Sequence, residues 1–498
     1  MHLVFLVNEI FRIICDSIAE SDRGLATLAA LARTCRSLEG ISLDVLWGKQ
    51  QVDFINVLKT LPPNSWSYTR SSFSLNRPIS SNELARLRQY TTRVTDLHAH
   101  TELGLNVRTL KTLIDPYESF DWLTMWPKVK TLWWMTSPDQ LQYLKHFLTF
   151  GVHNLKINLE GAEDEDFQET LRLVESRCMN LEDLHLSDPE PRESQEFQDT
   201  IRQIIYNNSL TLKLFYPPQD PSAPLVNDIL QLPALQALEL HIPQIPDPAP
   251  WSILPSLECL TFTLDEPLDM IDLLGTLRES KLTHFTLICR YPEPEDGPVA
   301  LAEFFEDTGL YDSVKAFSWI TDPDDGVLTW EFVSIFDSFA NLQALHLEVP
   351  CNRSCHFRFR HNHVVELSGW MPRLKELNFG GSPCAYGGLT TDVGYHTLTV
   401  LTKNCPDLYL LAIHFNIRTF VPGGYMEPNL RVTLWDVGDT ALPNNPGSLT
   451  MIALAVSKLF PKVTFIGVPE RNATKWQVIH EELQMFTLPA VHRQLDLM

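Results

Sequence analysis

The chain has 498 residues, 44% of them hydrophobic and 20% charged, with a formal charge of −23 and a pI near 5.1. A single core stops growing at about 250 to 300 residues, so this length calls for several domains or a repeat array. The acidic balance argues against phosphate-neutralising contacts with nucleic acid and against an anionic membrane surface. No run of about eighteen apolar residues that could span a bilayer occurs. Nine cysteines, scattered from Cys15 to Cys405, form no dense framework and suit reduced thiols of the cytoplasm or nucleus. The apolar start is interrupted by Glu9 and Arg12, so no signal peptide is expected.

Val7, Ile10, Phe11, Ile14 and Ile18 follow the spacing of one helix face. A second helical stretch runs through Leu25, Leu28, Leu31 and Ala32 and continues by Cys35 and Leu38 to Ile41, Val45, Leu46 and Trp47. Three short helices within residues 1–60 predict a small module whose core is too limited to stand without a partner or an attached domain. Within this segment six Lys/Arg face seven Asp/Glu, so nearly all the acidic excess lies beyond it.

From residue 94 onward an L-x-x-L-x-L pattern recurs, entered after a connector at 61–93. Copies are Val94/Leu97/Ala99, Val129/Leu132/Trp134, Val152/Leu155/Ile157, Leu181/Leu184/Leu186, Leu235/Leu238/Leu240 and Leu257/Leu260/Phe262. They continue as Leu282/Phe285/Leu287, Val314/Phe317/Trp319, Leu342/Leu345/Leu347, Leu374/Leu377/Phe379 and Leu408/Leu411/Ile413. Degenerate versions are read at Leu210/Leu212/Leu214, around Leu430/Leu434 and at Val463/Ile466/Val468. The expected fold is α/β: a leucine-rich-repeat solenoid, or horseshoe, over 94–498, with irregular inserts and a C-terminal cap, preceded by the helical module. Acidic Pro-rich stretches at 188–193, 291–298 and 322–326 read as surface loops.

In each repeat the residue between the last two apolar positions points to the concave face. Candidate substrate-binding residues are therefore His98, Trp133, Lys156, His185, Glu239 and His346, with Lys213, Thr261, Thr286, Ser318, Asn378 and Ala412 in the same row. Trp133 is the natural anchor, because large aromatics carry much of the energy of interfaces. Cys351, Cys355, His361 and His363 offer four ligand types, but their spacing does not match a zinc finger and Arg353, Arg358 and Arg360 lie among them. No metal site or cofactor is expected. Glu163 to Asp166 reads as a solvated acidic run, and no Walker, Rossmann, HExxH or GxSxG motif is present. The chain reads as a binding protein and not an enzyme.

Val7-Asn8-Glu9-Ile10-Phe11, Ala32-Arg33-Thr34-Cys35-Arg36 and Leu43-Asp44-Val45-Leu46-Trp47 resemble the F-box of fungal proteins. Arg77-Pro78-Ile79, followed by Tyr90-Thr91-Thr92-Arg93-Val94, resembles the segment that joins the F-box to leucine-rich repeats in the same family. The resemblance implies the substrate-recognition subunit of an SCF-type ubiquitin ligase. Its F-box would dock on the Skp adaptor and through it on a cullin-RING ligase, while the repeats hold a protein substrate. It further implies adaptor contact by Val7, Ile10, Ile14, Leu31, Cys35, Leu46 and Trp47. Asn8 stands where the family usually carries Pro. The alternative function is a leucine-rich-repeat scaffold or regulator with a degenerate F-box and no role in ubiquitination.

Overall fold

The computed structural model describes residues 8–21, 23–34, 36–69, 72–117, 119–187, 194–217, 221–242, 254–264, 280–289, 301, 305, 309–321, 330–348, 360–379, 392–413, 415, 428–437, 440, 442–466 and 473–487. The three acidic Pro-rich stretches, and Val7 and Cys35 of the expected adaptor site, lie outside these residues. The chain divides into two compact units, Met1–Gln236 and Ala237–Met498.

The first unit opens with three helices, α1 (Asn8–Ala19), α2 (Gly24–Thr34) and α3 (Arg36–Gly48). Phe11, Cys15, Leu28, Leu38 and Val45 close a small core among them, with Ile18, Leu31, Ile41 and Leu46 packed at its margin. Gly24 makes the tight passage from α1 to α2 possible, because a Cβ there would overlap the carbonyl oxygen of Ile18.

Strand β1 (Gln51–Asp53) follows at once and pairs in parallel with β4 (Asp96–His100). The repeat sheet therefore begins at Gln51, inside the segment read from sequence as purely helical. Between them lie α4 (Phe54–Leu58), an antiparallel hairpin of β2 (Trp66–Thr69) and β3 (Ser72–Leu75), and α5 (Ser81–Thr91). α5 starts with a capping box: Ser80 Oγ accepts from the Glu83 N–H, and Glu83 accepts from the Ser80 N–H at 2.7 Å. The Arg77 guanidinium grips the same carboxylate at 2.8 and 2.9 Å. That ion pair, followed by the Ser80 bonds, holds the carboxyl of Glu83 well below the usual range.

The sheet of the first unit continues in parallel through β5 (Thr131–Met135), β6 (Asn154–Asn158), β7 (Asp183–Ser187) and β8 (Leu214–Tyr216). Alternation explains each strand: Leu132/Trp134, Leu155/Ile157 and Leu184/Leu186 are at most 1% exposed, with half-buried residues between them. Each such side chain removed from water contributes about 1.5–3 kcal/mol before entropy is counted. Helices return the chain, among them α6 (Val107–Ile114), α7 (Asp164–Arg177) and α8 (Gln195–Asn207), and α7 and α8 meet through Phe167 and Phe197, 5.0 Å apart. The acidic run Asp164 to Asp166 forms the first turn of α7, where the helix dipole favours negative charge. Asn208, 1% exposed, ties neighbouring repeats by accepting from Leu181 N–H at 2.7 Å and donating to Cys178 O at 2.9 Å.

The second unit repeats this scheme through β9 (Ala237–Ile242), β10 (Cys259–Leu264), β11 (His284–Cys289), β12 (Ala316–Thr321), β13 (Ala344–Glu348), β14 (Glu376–Asn378), β15 (Leu410–Ala412), β16 (Leu434–Asp436) and β17 (Thr464–Ile466). Every neighbouring pair is parallel. Helices Pro446–Leu459 and Ala473–Thr487 end the described chain. The fold is an α/β leucine-rich-repeat solenoid.

The three degenerate copies have registers different from those read in the sequence. β8 aligns Phe215 with Leu184, so the buried positions are Leu212 and Phe215, whereas Leu210 is 81% exposed. Likewise Val432, Trp435 and Val437 are buried and Leu430 is 53% exposed, while β17 sets Phe465, not Ile466, opposite Trp435. In each case an aromatic residue takes the central strand position, as Phe285 and Phe317 do in recognised copies, but an aliphatic neighbour, Leu214, Leu434 or Ile466, offers a competing register.

Candidate partner-binding surfaces

Two surfaces answer to the residues singled out in the sequence. The first is the helical module. On α1 the buried side is Phe11 and Cys15, leaving Ile10 at 42% and Ile13 at 64% exposure, and on α2 Leu25 is 44% exposed. Ile14 is half-buried; Leu31 and Leu46 are also half-buried but pack on the module core. Trp47 turns toward the connector, its ring centroid 5.4 Å from that of Tyr90. Asp44 pairs with Arg93 at 2.8 Å, and Thr95 Oγ1 donates to Gly48 O at 2.5 Å. The connector motif is thus a brace, since Tyr90 and Arg93 bind the module to the first repeats while Ile79, Thr91 and Val94 fill the core beneath.

The second surface is the sheet row of the first unit. Register brings Asp53, His98, Trp133, Lys156, His185 and Tyr216 into one line across six strands. Tyr216, and not Lys213, occupies the β8 position; Lys213 instead pairs with Glu182 at 2.7 Å in the preceding turn. Along the row His98 and Trp133 stack with centroids 4.2 Å apart, Lys156 Nζ lies 5.5 Å from the Trp133 ring, and His185 stacks on Tyr216 at 4.8 Å. His98 is only 7% exposed, a foundation for Trp133 more than a contact residue, and its Nε2 lies 2.8 Å from Asp96 Oδ1 without the alignment of a hydrogen bond.

Burial shapes the charges here. The His185 imidazole is pushed down to about 4, first by desolvation and then by the positive charge of Lys156, so it is neutral at pH 7. Asp183, two residues earlier on β7, is pushed up to about 6 by desolvation, with Lys156 opposing. Asp53 is raised and His100 lowered, again mainly by burial. The row therefore sets the flat rings of Trp133, Tyr216 and the neutral His185 around Lys156.

Glu239 and His346 lie in the row of the second unit, which runs Glu239, Thr261, Thr286, Ser318, His346, Asn378, Ala412 and Asp436. Its polar groups cross-link neighbouring strands: His346 Nε2 meets Glu376 Oε2 at 3.0 Å, and Asn378 Nδ2 donates to Glu348 Oε1 at 2.6 Å. Tyr409 donates its hydroxyl to Glu376, a bond that pushes the phenol up to about 12. Sequence reading missed Asp53 and Tyr216 on the first row, Asp183 beside it on β7, and Ile13 and Leu25 on the module. Ile13, three residues past Ile10, was the one with a visible signal.

Of the four soft ligands considered in the sequence, Cys351 and Cys355 lie outside the described residues. His363 stacks on Trp330 at 4.2 Å and His361 meets Thr397 Oγ1 at 2.9 Å. Among the described residues no group of His, Cys, Asp or Glu converges to hold a metal ion, and no helix is long and apolar enough to cross a membrane.

No family model matches the chain, and no curated protein matches it in sequence. Solved structures similar to it include an internalin from Listeria monocytogenes, at 11% identity over 91% of this chain and 92% of that one, TM-score 0.30. The yeast Rad7 and Elc1 complex matches at 14% identity over 85% of this chain and 92% of that one, TM-score 0.32. The Drosophila Toll–Spatzle complex matches at 12% identity over 80% and 61%, TM-score 0.25. The leucine-rich-repeat assignment rests on this chain's own ladders and burial.

Proposed function

We propose that the chain is a substrate receptor of an SCF-type ubiquitin ligase. Helices α1 to α3 dock on a Skp adaptor, through it on a cullin-RING ligase, and the repeats hold the protein to be ubiquitinated; the chain supplies no catalytic residue. Residues 1–60 form the adaptor module, 61–93 the connector and 94–498 the repeats, with β1 already part of the repeat sheet.

The observation that carries this reading is the outward apolar face of the module. Its core is closed by Phe11, Cys15, Leu28, Leu38 and Val45, yet Ile10, Ile13 and Leu25 stay exposed on adjoining helices. Full burial of a large aliphatic is worth about 1.5–3 kcal/mol, of which these half-exposed side chains forgo roughly half on folding, a cost that docking recovers. They sit in the segment that resembles an F-box. The second face, with Trp133 at its centre, supplies the substrate side.

Purified full-length chain mixed with Skp adaptor is expected to co-elute as a complex, and Ile10→Asp or Ile13→Asp to abolish it. Ile13 is the more exposed of the two, so Ile13→Asp is the variant expected to keep the fold, which circular dichroism checks. Absence of a complex, or one indifferent to these variants, would favour the scaffold reading, toward which Asn8 at the start of α1 points.

A further inference from the structure

A third surface lies on the first unit, at the edge where helices end and strands begin. Phe150, Met179 and Leu210 each stand two residues before a buried first position of a repeat, Val152, Leu181 and Leu212. They are 66%, 48% and 81% exposed, and Tyr206, in the last turn of α8, is 75% exposed. The turns that carry them are laddered. His153 N–H donates to Lys130 O at 2.7 Å, Glu182 N–H to His153 O at 2.7 Å and Lys213 N–H to Glu182 O at 2.8 Å. Equivalent residues of successive repeats therefore fall side by side. One exposed apolar residue in a turn is ordinary, whereas the same position filled three times in succession builds a stripe.

The charge around this stripe is opposite to that of the chain. Lys128 and Lys130 precede β5, Lys145 and Arg177 occupy last helical turns, and Lys213 precedes β8, against Glu175 and Glu182. Arg177 and Lys213 are engaged internally, with Lys145 O and with Glu182, and Lys145 lines a cleft with Asp166 and Glu169, but Lys128 and Lys130 are exposed cations. A basic apolar edge on a protein of charge −23 fits an acidic apolar partner.

We propose that this edge docks an acidic amphipathic helix of a partner protein. Three neighbouring repeats at about 4.8 Å spacing make a stripe roughly 10 Å long, which two turns of helix, about 11 Å, match with anchors at i, i+4 and i+7. A second copy of the chain fits less well, because four side chains fall short of the ~800 Å² per partner that a stable dimer needs. An anionic bilayer is disfavoured by the chain's net charge of −23. The site is separate from the helical module and from the Trp133 row, so it stands whether or not the adaptor binds.

Fluorescence anisotropy on the full chain tests this, with a labelled amphipathic peptide of about 18 residues, Leu on one face and Glu on the other. The expected result is micromolar binding to this peptide and not to its Lys-for-Glu counterpart or to a scrambled acidic peptide. Affinity is expected to fall about tenfold or more in Phe150→Ser/Leu210→Ser and to weaken with salt and in Lys128→Glu/Lys130→Glu. No binding, equal binding of the scrambled peptide, or indifference to Phe150→Ser/Leu210→Ser would overturn it. So would Leu210-dependent dimerisation in sedimentation, or Leu210-dependent binding to phosphatidylserine vesicles.

Discussion

Tyr90, in the last turn of α5, packs its ring 5.4 Å from that of Trp47 at the end of α3. The contact joins the small helical module to the connector, and the Asp44–Arg93 pair at 2.8 Å lies beside it. Aromatic pairs of this kind couple by about 0.5–1.5 kcal/mol beyond the area they bury. A double-mutant cycle of Trp47→Ala and Tyr90→Ala, followed by urea unfolding, is expected to return a coupling in that range. Additive single effects would mean that the module and connector are energetically independent.

The register of β8 makes a sharp contrast between two residues five apart. Phe215→Ala removes a fully buried ring and is expected to cost about 3–5 kcal/mol. Leu210→Ala, at an 81% exposed site, is expected to stay within about 0.5 kcal/mol. Urea midpoints of the two variants check this; the reverse order would restore the register read from leucine spacing.

That slip marks where the sequence is legible. Repeats with aliphatic or aromatic residues at all three motif positions, such as Leu342/Leu345/Leu347, gave strand, register and inward face together, because alternation and burial coincide. Where Phe215 or Trp435 replaced the expected leucine, a leucine in the adjacent turn drew the register away. β1 was hidden because only Val52 of its three residues is buried. On the face, position along the row is readable, but exposure is not: His98, a candidate contact position, is 7% exposed in a stack with Trp133. Stacking across strands depends on neighbours far apart in the chain.

Two groups on β7 oppose each other in their response to pH. The folded pKa of His185 is depressed to about 4 from an ordinary 6.5, so its stability contribution is present above 6.5 and is lost as pH falls toward 4. The folded pKa of Asp183 is raised to about 6 from 3.8, so its contribution is present below 3.8 and is lost as pH rises toward 6. Relative to the parent, Asp183→Asn is expected to make stability climb more steeply between pH 4 and 6, and His185→Gln to make it climb less. Urea midpoints across that window decide it; parallel curves for all three proteins would contradict the burial of these groups.

Gly24 controls the module from within. Because any Cβ there overlaps Ile18 O, Gly24→Ala is expected to push α1 from α2 at a cost of about 1–3 kcal/mol. Hydrogen exchange should rise in residues 8–34 while the strands from Asp96 onward keep their protection. Unchanged exchange in α1 and α2 would show that the helices do not need this close approach.

The most direct test of the receptor reading is hydrogen exchange of the full chain with and without Skp adaptor. The predicted result is new protection confined to α1 and α2 around Ile10, Ile13 and Leu25, lost in Ile13→Asp. Protection on the repeat strands instead, or none at saturating adaptor, would contradict it.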